Sequence, residues 1–170
     1  MSYALGQVKI LIVDDMEAIV DITKSLLESF GFKQFLTANN VEKAYELFKS
    51  EKPDIVITDW HMDPPPDGMD LILKIRKGAD SPNPYVPIIM MTGFAAKARV
   101  EKARDMGVTE ILIKPFKAKD LCNRIVYVIE KPRQFVLSGQ FFGPDRRRQK
   151  STDYKGPERR SDPEEDEAAE

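Results

Sequence analysis

Apolar residues fall into two alternating textures between residues 8 and 130. Residues 8–13, 32–38, 54–58, 86–92 and 110–113 are short apolar runs rich in β-branched side chains, and they predict buried strands. Between them, apolar residues recur at helical spacing. Residues 17–30 carry Ile19, Ile22, Leu26 and Phe30 on one predicted face, with Gly31 as a stop signal. Residues 42–50 carry Ala44, Leu47 and Phe48, and Pro53 ends that segment. Leu71, Ile72 and Ile75 mark a helix closing near Gly78. A further helix is expected over 95–106, before Gly107. Another is expected over 117–130, with Leu121, Ile125, Val128 and Ile129 facing inward.

Five strand–helix units in strict alternation predict an α/β fold with a parallel sheet covered on both faces. In such sheets the functional crevice lies at the carboxyl ends of the strands. The chemistry of this chain is concentrated there. The first predicted strand runs into Asp14 and Asp15, the third into Asp59, the fourth into Thr92 and Gly93, and the fifth into Lys114 and Pro115. Gathered on one rim, three carboxylates raise each other's pKa unless a cation offsets them. Mg²⁺ suits such a site, because it takes carboxylate and carbonyl oxygens and keeps waters that phosphate oxygens can replace. Lys114 adds a point charge, and Thr92 adds a hydroxyl donor. An aspartate can attack phosphorus and form an acyl phosphate. Taken singly, each residue has a plainer reading: Asp15 as an N-cap ahead of residues 17–30, Thr92 as a turn residue, Lys114-Pro115 as a loop. Their order along successive strands carries the inference.

The segments Ile10-Leu11-Ile12-Val13-Asp14-Asp15, Asp54-Ile55-Val56-Ile57-Thr58-Asp59, Pro87-Ile88-Ile89-Met90-Met91-Thr92-Gly93 and Ile113-Lys114-Pro115-Phe116 resemble the CheY-like receiver domains of two-component signalling. The resemblance covers residues 8–131. It implies a doubly wound, flavodoxin-like (βα)5 sheet of strand order 2-1-3-4-5, and a receiver domain over 1–131. It implies that Asp59 accepts a phosphoryl group from a histidine kinase or phosphotransfer protein. It further implies that Asp15, Asp59 and the backbone carbonyl of His61 bind Mg²⁺, with Asp14 acting mostly through water. Lys114 would pair with Asp59 and then with the phosphate, and Thr92 would move to report it. Such a domain catalyses only its own phosphorylation and dephosphorylation. Two departures stand out. The loop from Trp60 to Gly68, which holds Pro64, Pro65 and Pro66, is one residue longer than the family's spacing. The family's aromatic switch position, three before the lysine, is Ile111. Phosphorylation is implied regardless, and the output step stays open. His61 reads either as an ordinary exposed loop residue or as a side chain that affects acyl-phosphate lifetime.

Composition changes the picture only after Pro132. Residues 133–160 hold eight Lys or Arg against three acids, Asp145, Asp153 and Glu158. Residues 161–170 hold six acids and no base. Few aliphatic residues occur past Leu137, so the segment 132–170 is expected to be largely disordered, with no separate output domain. It contains a repeat: Phe141-Phe142-Gly143-Pro144-Asp145-Arg146-Arg147 aligns with Tyr154-Lys155-Gly156-Pro157-Glu158-Arg159-Arg160. Arginine binds the guanine O6/N7 edge bidentately and also contacts phosphate. A carboxylate accepts from guanine's other edge, and Gly-Pro permits a tight turn beside a ligand. The tail is similar to the arginine-rich segments of CheY-like cyclic di-GMP effectors, including the Cle group that acts on flagellar motors. That resemblance implies a cyclic di-GMP site at Asp145, Arg146, Arg147, Glu158, Arg159 and Arg160.

The 170-residue chain has a formal net charge of −2, which gives no whole-chain case for nucleic acid or a membrane surface. The acidic end also opposes DNA binding. The single cysteine, Cys122, excludes an intrachain disulfide. No apolar run reaches membrane-spanning length, and no secretory signal opens the chain, so a cytoplasmic protein is expected. Two functions remain. One is a phosphorylated receiver acting through a downstream protein such as a flagellar motor component. The other is a phosphorylation-independent cyclic di-GMP effector module.

Overall fold

The computed structural model describes residues 4–145. Strands β1 (Lys9–Val13), β2 (Gln34–Ala38), β3 (Ile55–Asp59), β4 (Ile88–Thr92) and β5 (Glu110–Ile113) alternate with helices α1 (Glu17–Ser29), α2 (Val41–Glu51), α3 (Gly68–Lys77), α4 (Lys97–Asp105) and α5 (Ala118–Glu130). The strands form one parallel sheet in the order β2-β1-β3-β4-β5, as the receiver resemblance implies.

Side chains alternate across each strand, so the sheet divides the core in two. On one face Leu11, Val13, Val56 and Met90 meet Ala44, Phe48, Leu71, Ile72 and Ile75 of α2 and α3. On the other, Ile10, Ile12, Ile57, Met91 and Leu112 meet Leu27 of α1 and Leu121, Ile125 and Val128 of α5. The inward residues of α5 match the sequence expectation, with Ile129 partly buried. Those of α1 do not. Val20, Thr23 and Leu27 are buried, whereas Ile22 and Phe30 are exposed. The buried face is therefore centred on Val20, Thr23 and Leu27, with Ile19 and Leu26 at its border and Ile22 and Phe30 turned outward.

The largest departure lies past Pro132. Strands β6 (Phe135–Ser138) and β7 (Phe141–Pro144) form an antiparallel hairpin about Gly139 and Gln140, with Gly139 at φ +56°. The expectation of disorder therefore fails for this stretch. The hairpin docks through aromatic rings. Phe135, Phe142 and Tyr85 have centroids 5.2–5.5 Å apart. The buried guanidinium of Arg76 lies 5.0 Å from the Phe135 centroid. Arg76 also donates to the carbonyls of Gly107, Pro84 and Val86, at 3.0, 2.7 and 2.7 Å. Burial lowers its pKa to about 9, which still leaves it charged at neutral pH. A Cβ on Gly143 would meet Cα of Gly107 at 2.7 Å, so this glycine lets the hairpin approach the domain closely. At the domain edge, Arg133 and Arg124 each lie 2.6 Å from a carboxylate oxygen of buried Glu110.

Candidate functional site

The strand ends converge as their register requires. Val13 stands beside Thr58, and Thr92 beside Ile113, so the residues that follow share one rim. Carboxylate oxygens of Asp14, Asp15 and Asp59 all lie within 4.8 Å of one another. Lys114 Nζ sits 2.9 Å from Asp59 Oδ1 and 3.3 Å from Asp14 Oδ2. Burial pushes the Asp14 carboxyl above its usual value and the Asp59 charge adds to this, while the Met16 amide and Lys114 pull against it. Burial pulls Lys114 down, but its bonds to Asp59 and the charges of Asp59 and Asp14 outweigh that, so its pKa is raised.

Each carboxylate has a distinct position. Asp14 is 1% exposed and accepts from the Met16 amide at 2.9 Å. Asp15 is exposed and accepts from the Asp63 amide at 3.1 Å, holding the loop after β3. Met16 is the N-cap residue of α1, without a side-chain cap bond, so the plainer reading of Asp15 as a cap does not apply. Asp59 ends β3, and its carbonyl accepts from the Thr58 hydroxyl at 3.0 Å. A Cβ on Gly68, the first residue of α3, would overlap that carbonyl. Helix α3 thus starts directly against the Asp59 backbone. Asp67 and Asp70 fix that start as a capping box.

Thr92 is buried, and its Oγ1 accepts from the Phe94 amide at 3.1 Å. His61 is exposed, two residues past Asp59. Its Nε2 lies 3.1 Å from Arg99 Nη1, and because a guanidinium only donates, Nε2 is the acceptor. Arg99 stacks 4.1 Å from the Phe94 centroid and 5.7 Å from the Trp60 ring. No local signal marks Phe94 or Arg99, which meet each other and His61 only in the folded chain. Ile111 is partly buried and packs against the core.

Of the proposed tail residues, Asp145 alone lies within the described residues. Its amide donates to the Gln134 carbonyl at 2.7 Å, beside the end of β7. Arg146, Arg147, Glu158, Arg159 and Arg160 lie outside the described residues. The Gly-Pro of the first repeat forms part of strand β7 rather than a turn, and its glycine is explained by packing on Gly107.

A sequence profile of the response regulator receiver domain matches residues 10–126. The chain belongs to the response regulator receiver family. It is 35% identical over 123 residues to chemotaxis protein CheY-3 of Vibrio cholerae, covering 72% of this chain and 92% of that protein. It is 34% identical over 123 residues to chemotaxis protein CheY of Pseudomonas aeruginosa, covering 72% and 97%. A solved receiver domain from Clostridium thermocellum superposes with a TM-score of 0.65 at 33% identity, covering 73% of this chain and 95% of that one. The chain is thus a CheY-like response regulator of two-component signalling. Among the described residues, no helix is long and apolar enough to cross a membrane.

Proposed function

We propose that Asp59 is the phosphoacceptor, receiving a phosphoryl group from a histidine kinase or phosphotransfer protein in the cytoplasm. The observation that carries this is the salt bridge of Lys114 to Asp59 inside the carboxylate cluster. A carboxylate oxygen of Asp59 attacks phosphorus, the donor's P–N bond breaks, and an acyl phosphate forms. Lys114 then stands beside the new phosphoryl oxygens, and the Thr92 hydroxyl turns from Phe94 to donate to one of them. The all-oxygen donor set of the cluster fits a hard cation. Asp15, Asp59 and the His61 carbonyl would hold Mg²⁺, with Asp14 acting through water. Bound there, Mg²⁺ would neutralise charge on the transferring group. Incubation with acetyl phosphate and Mg²⁺ should add one phosphoryl group by intact mass. Asp59→Ala should abolish that gain, and its persistence would refute the assignment.

The modified residue carries roughly two extra negative charges, which shifts the domain between two surface states. Output is then a change in affinity for a downstream protein. The chemotaxis relatives make a flagellar motor component a fitting partner.

A second reading rests on the repeated aromatic-x-Gly-Pro-acid-Arg-Arg sequence. Asp145, Arg146, Arg147, Glu158, Arg159 and Arg160 would bind cyclic di-GMP, a two-fold ligand suited to two copies of one motif. Calorimetric titration of the full chain should show saturable binding, and none would sink this reading. If partner binding responds to the nucleotide and survives Asp59→Ala, the protein is a phosphorylation-independent effector.

A further inference from the structure

We propose that the phosphorylation signal leaves Thr92 through Phe94 and Arg99 and travels along α4 to the β6–β7 hairpin, bypassing residue 111. The inference rests on Asp59 as the phosphoacceptor. Ile111 has neither a ring to rotate nor a hydroxyl to anchor, and its side chain is packed against the core. The hydroxyl of Thr92, in contrast, is already engaged: it accepts from the Phe94 amide at 3.1 Å. Turning that hydroxyl toward a phosphoryl oxygen breaks the bond and frees the start of the β4–α4 connection.

Phe94 is not an isolated loop residue. It is 51% exposed, yet one face is covered by Arg99 at 4.1 Å, and its ring meets His61 edge-on at 5.9 Å. Arg99 lies in the first turn of α4 and reaches His61 on the loop after Asp59. Both loops that flank Asp59 are therefore fastened to the start of α4 by one guanidinium. A shift at either loop reaches the helix.

Helix α4 is suited to move. Of its nine residues only Ala103 is buried, so little apolar contact holds it to the sheet. Its far end runs through Met106 into Gly107, where the hairpin is seated. The Gly107 carbonyl accepts from Arg76 Nε at 3.0 Å, and the hairpin backbone lies so near that a Cβ on Gly143 would meet Gly107 Cα at 2.7 Å. Displacing α4 changes that seat. Linkage makes the coupling reciprocal: whatever fixes the hairpin biases the state of the Asp59 site. Phe94 and Arg99 are positioning residues in this scheme, since they act through Thr92 and α4.

The test is amide NMR on the full chain, with beryllofluoride and Mg²⁺ as the phosphoryl mimic. In the wild type, the amides of Asp59 and Gly68 should shift, and so should those of Phe142, Gly143 and Asp145. In Phe94→Ala and in Arg99→Lys the first group should still shift and the second should fall silent. Arg99→Lys keeps the charge but loses the planar stack, so it guards against a fold that has simply failed. Ile111→Ala should leave both responses in place. Silent Asp59 and Gly68 amides in the wild type would refute the phosphoacceptor assignment itself. Shifting Asp59 and Gly68 amides with a silent hairpin would overturn the relay alone. So would hairpin shifts that survive Arg99→Lys or vanish in Ile111→Ala.

Discussion

Lys114 Nζ is 2.9 Å from Asp59 Oδ1, while Asp14, at 3.3 Å, is the more deeply buried of its two partners. One ammonium thus serves both the reactive carboxylate and the one that burial penalises most. Removing it leaves a buried negative charge uncompensated, which costs more than the pair contributes. Lys114→Met should lower the urea-unfolding free energy at neutral pH by about 1–3 kcal/mol, less than the value for a fully buried pair because Lys114 is partly exposed. Adding Asp14→Asn should recover much of that loss. No recovery in the double variant would show that the lysine acts through packing.

The pH dependence of stability follows from Asp14. Its folded pKa is raised above the ordinary aspartate value of 3.8, mainly by burial, so the folded protein binds this proton more tightly than the unfolded chain. The charged carboxylate therefore costs stability above the folded pKa, and the cost vanishes as pH falls toward 3.8. Asp14→Asn should be more stable than wild type at neutral pH, with the advantage shrinking through the acid range. Chemical denaturation at several pH values measures this. A constant or inverted difference would mean that Lys114 fully offsets the burial of Asp14.

The sequence exposed the site more clearly than it exposed the packing. Asp14, Asp15, Asp59, Thr92 and Lys114 were legible because a parallel sheet brings every strand's carboxyl end to one rim, whatever the helices do. The centre of the buried face on α1 was less so, with Ile19 and Leu26 at its border and Ile22 and Phe30 outside it. Ile19, Ile22 and Leu26 share a spacing with Val20 and Leu27, and only the sheet decides between them. The hairpin had its local signals, two apolar runs around Gly139, but the Arg- and Pro-rich composition beyond it outweighed them. Arg76 had no local signal at all. Its role comes from carbonyls of Pro84, Val86 and Gly107 that meet only in the folded chain.

Gly68 makes a separate prediction about the site's backbone. A Cβ there overlaps the Asp59 carbonyl, and rigid backbone rather than a flexible side chain is in the way. Gly68→Ala should destabilise the domain by about 1–3 kcal/mol, as overpacking usually does. Because the displaced atoms belong to the phosphoacceptor, the rate of phosphorylation by acetyl phosphate should fall as well. A melting temperature and rate both equal to wild type would show that α3 can slide away freely.

The last prediction concerns how the hairpin is held. Gly143 permits a backbone approach to Gly107, and Phe135 covers a guanidinium that is otherwise satisfied by carbonyls. These contacts fasten β6 and β7 to the domain, but the five-stranded sheet is built without them. Gly143→Ala should release the hairpin while leaving the sheet folded. Amide exchange should accelerate at residues 135–145 and stay slow in β1, β3 and β4. Arg76→Leu should behave differently. It leaves the carbonyls of Gly107, Pro84 and Val86 without their donor, so β4 and the α4–β5 turn should loosen together with the hairpin. Its cost, about 2–4 kcal/mol, is that of several buried acceptors stripped of partners at 1–3 kcal/mol each, partly relieved by water. Equal exchange profiles for the two variants would mean that the hairpin and the domain unfold as one unit and that the hairpin is not separately docked.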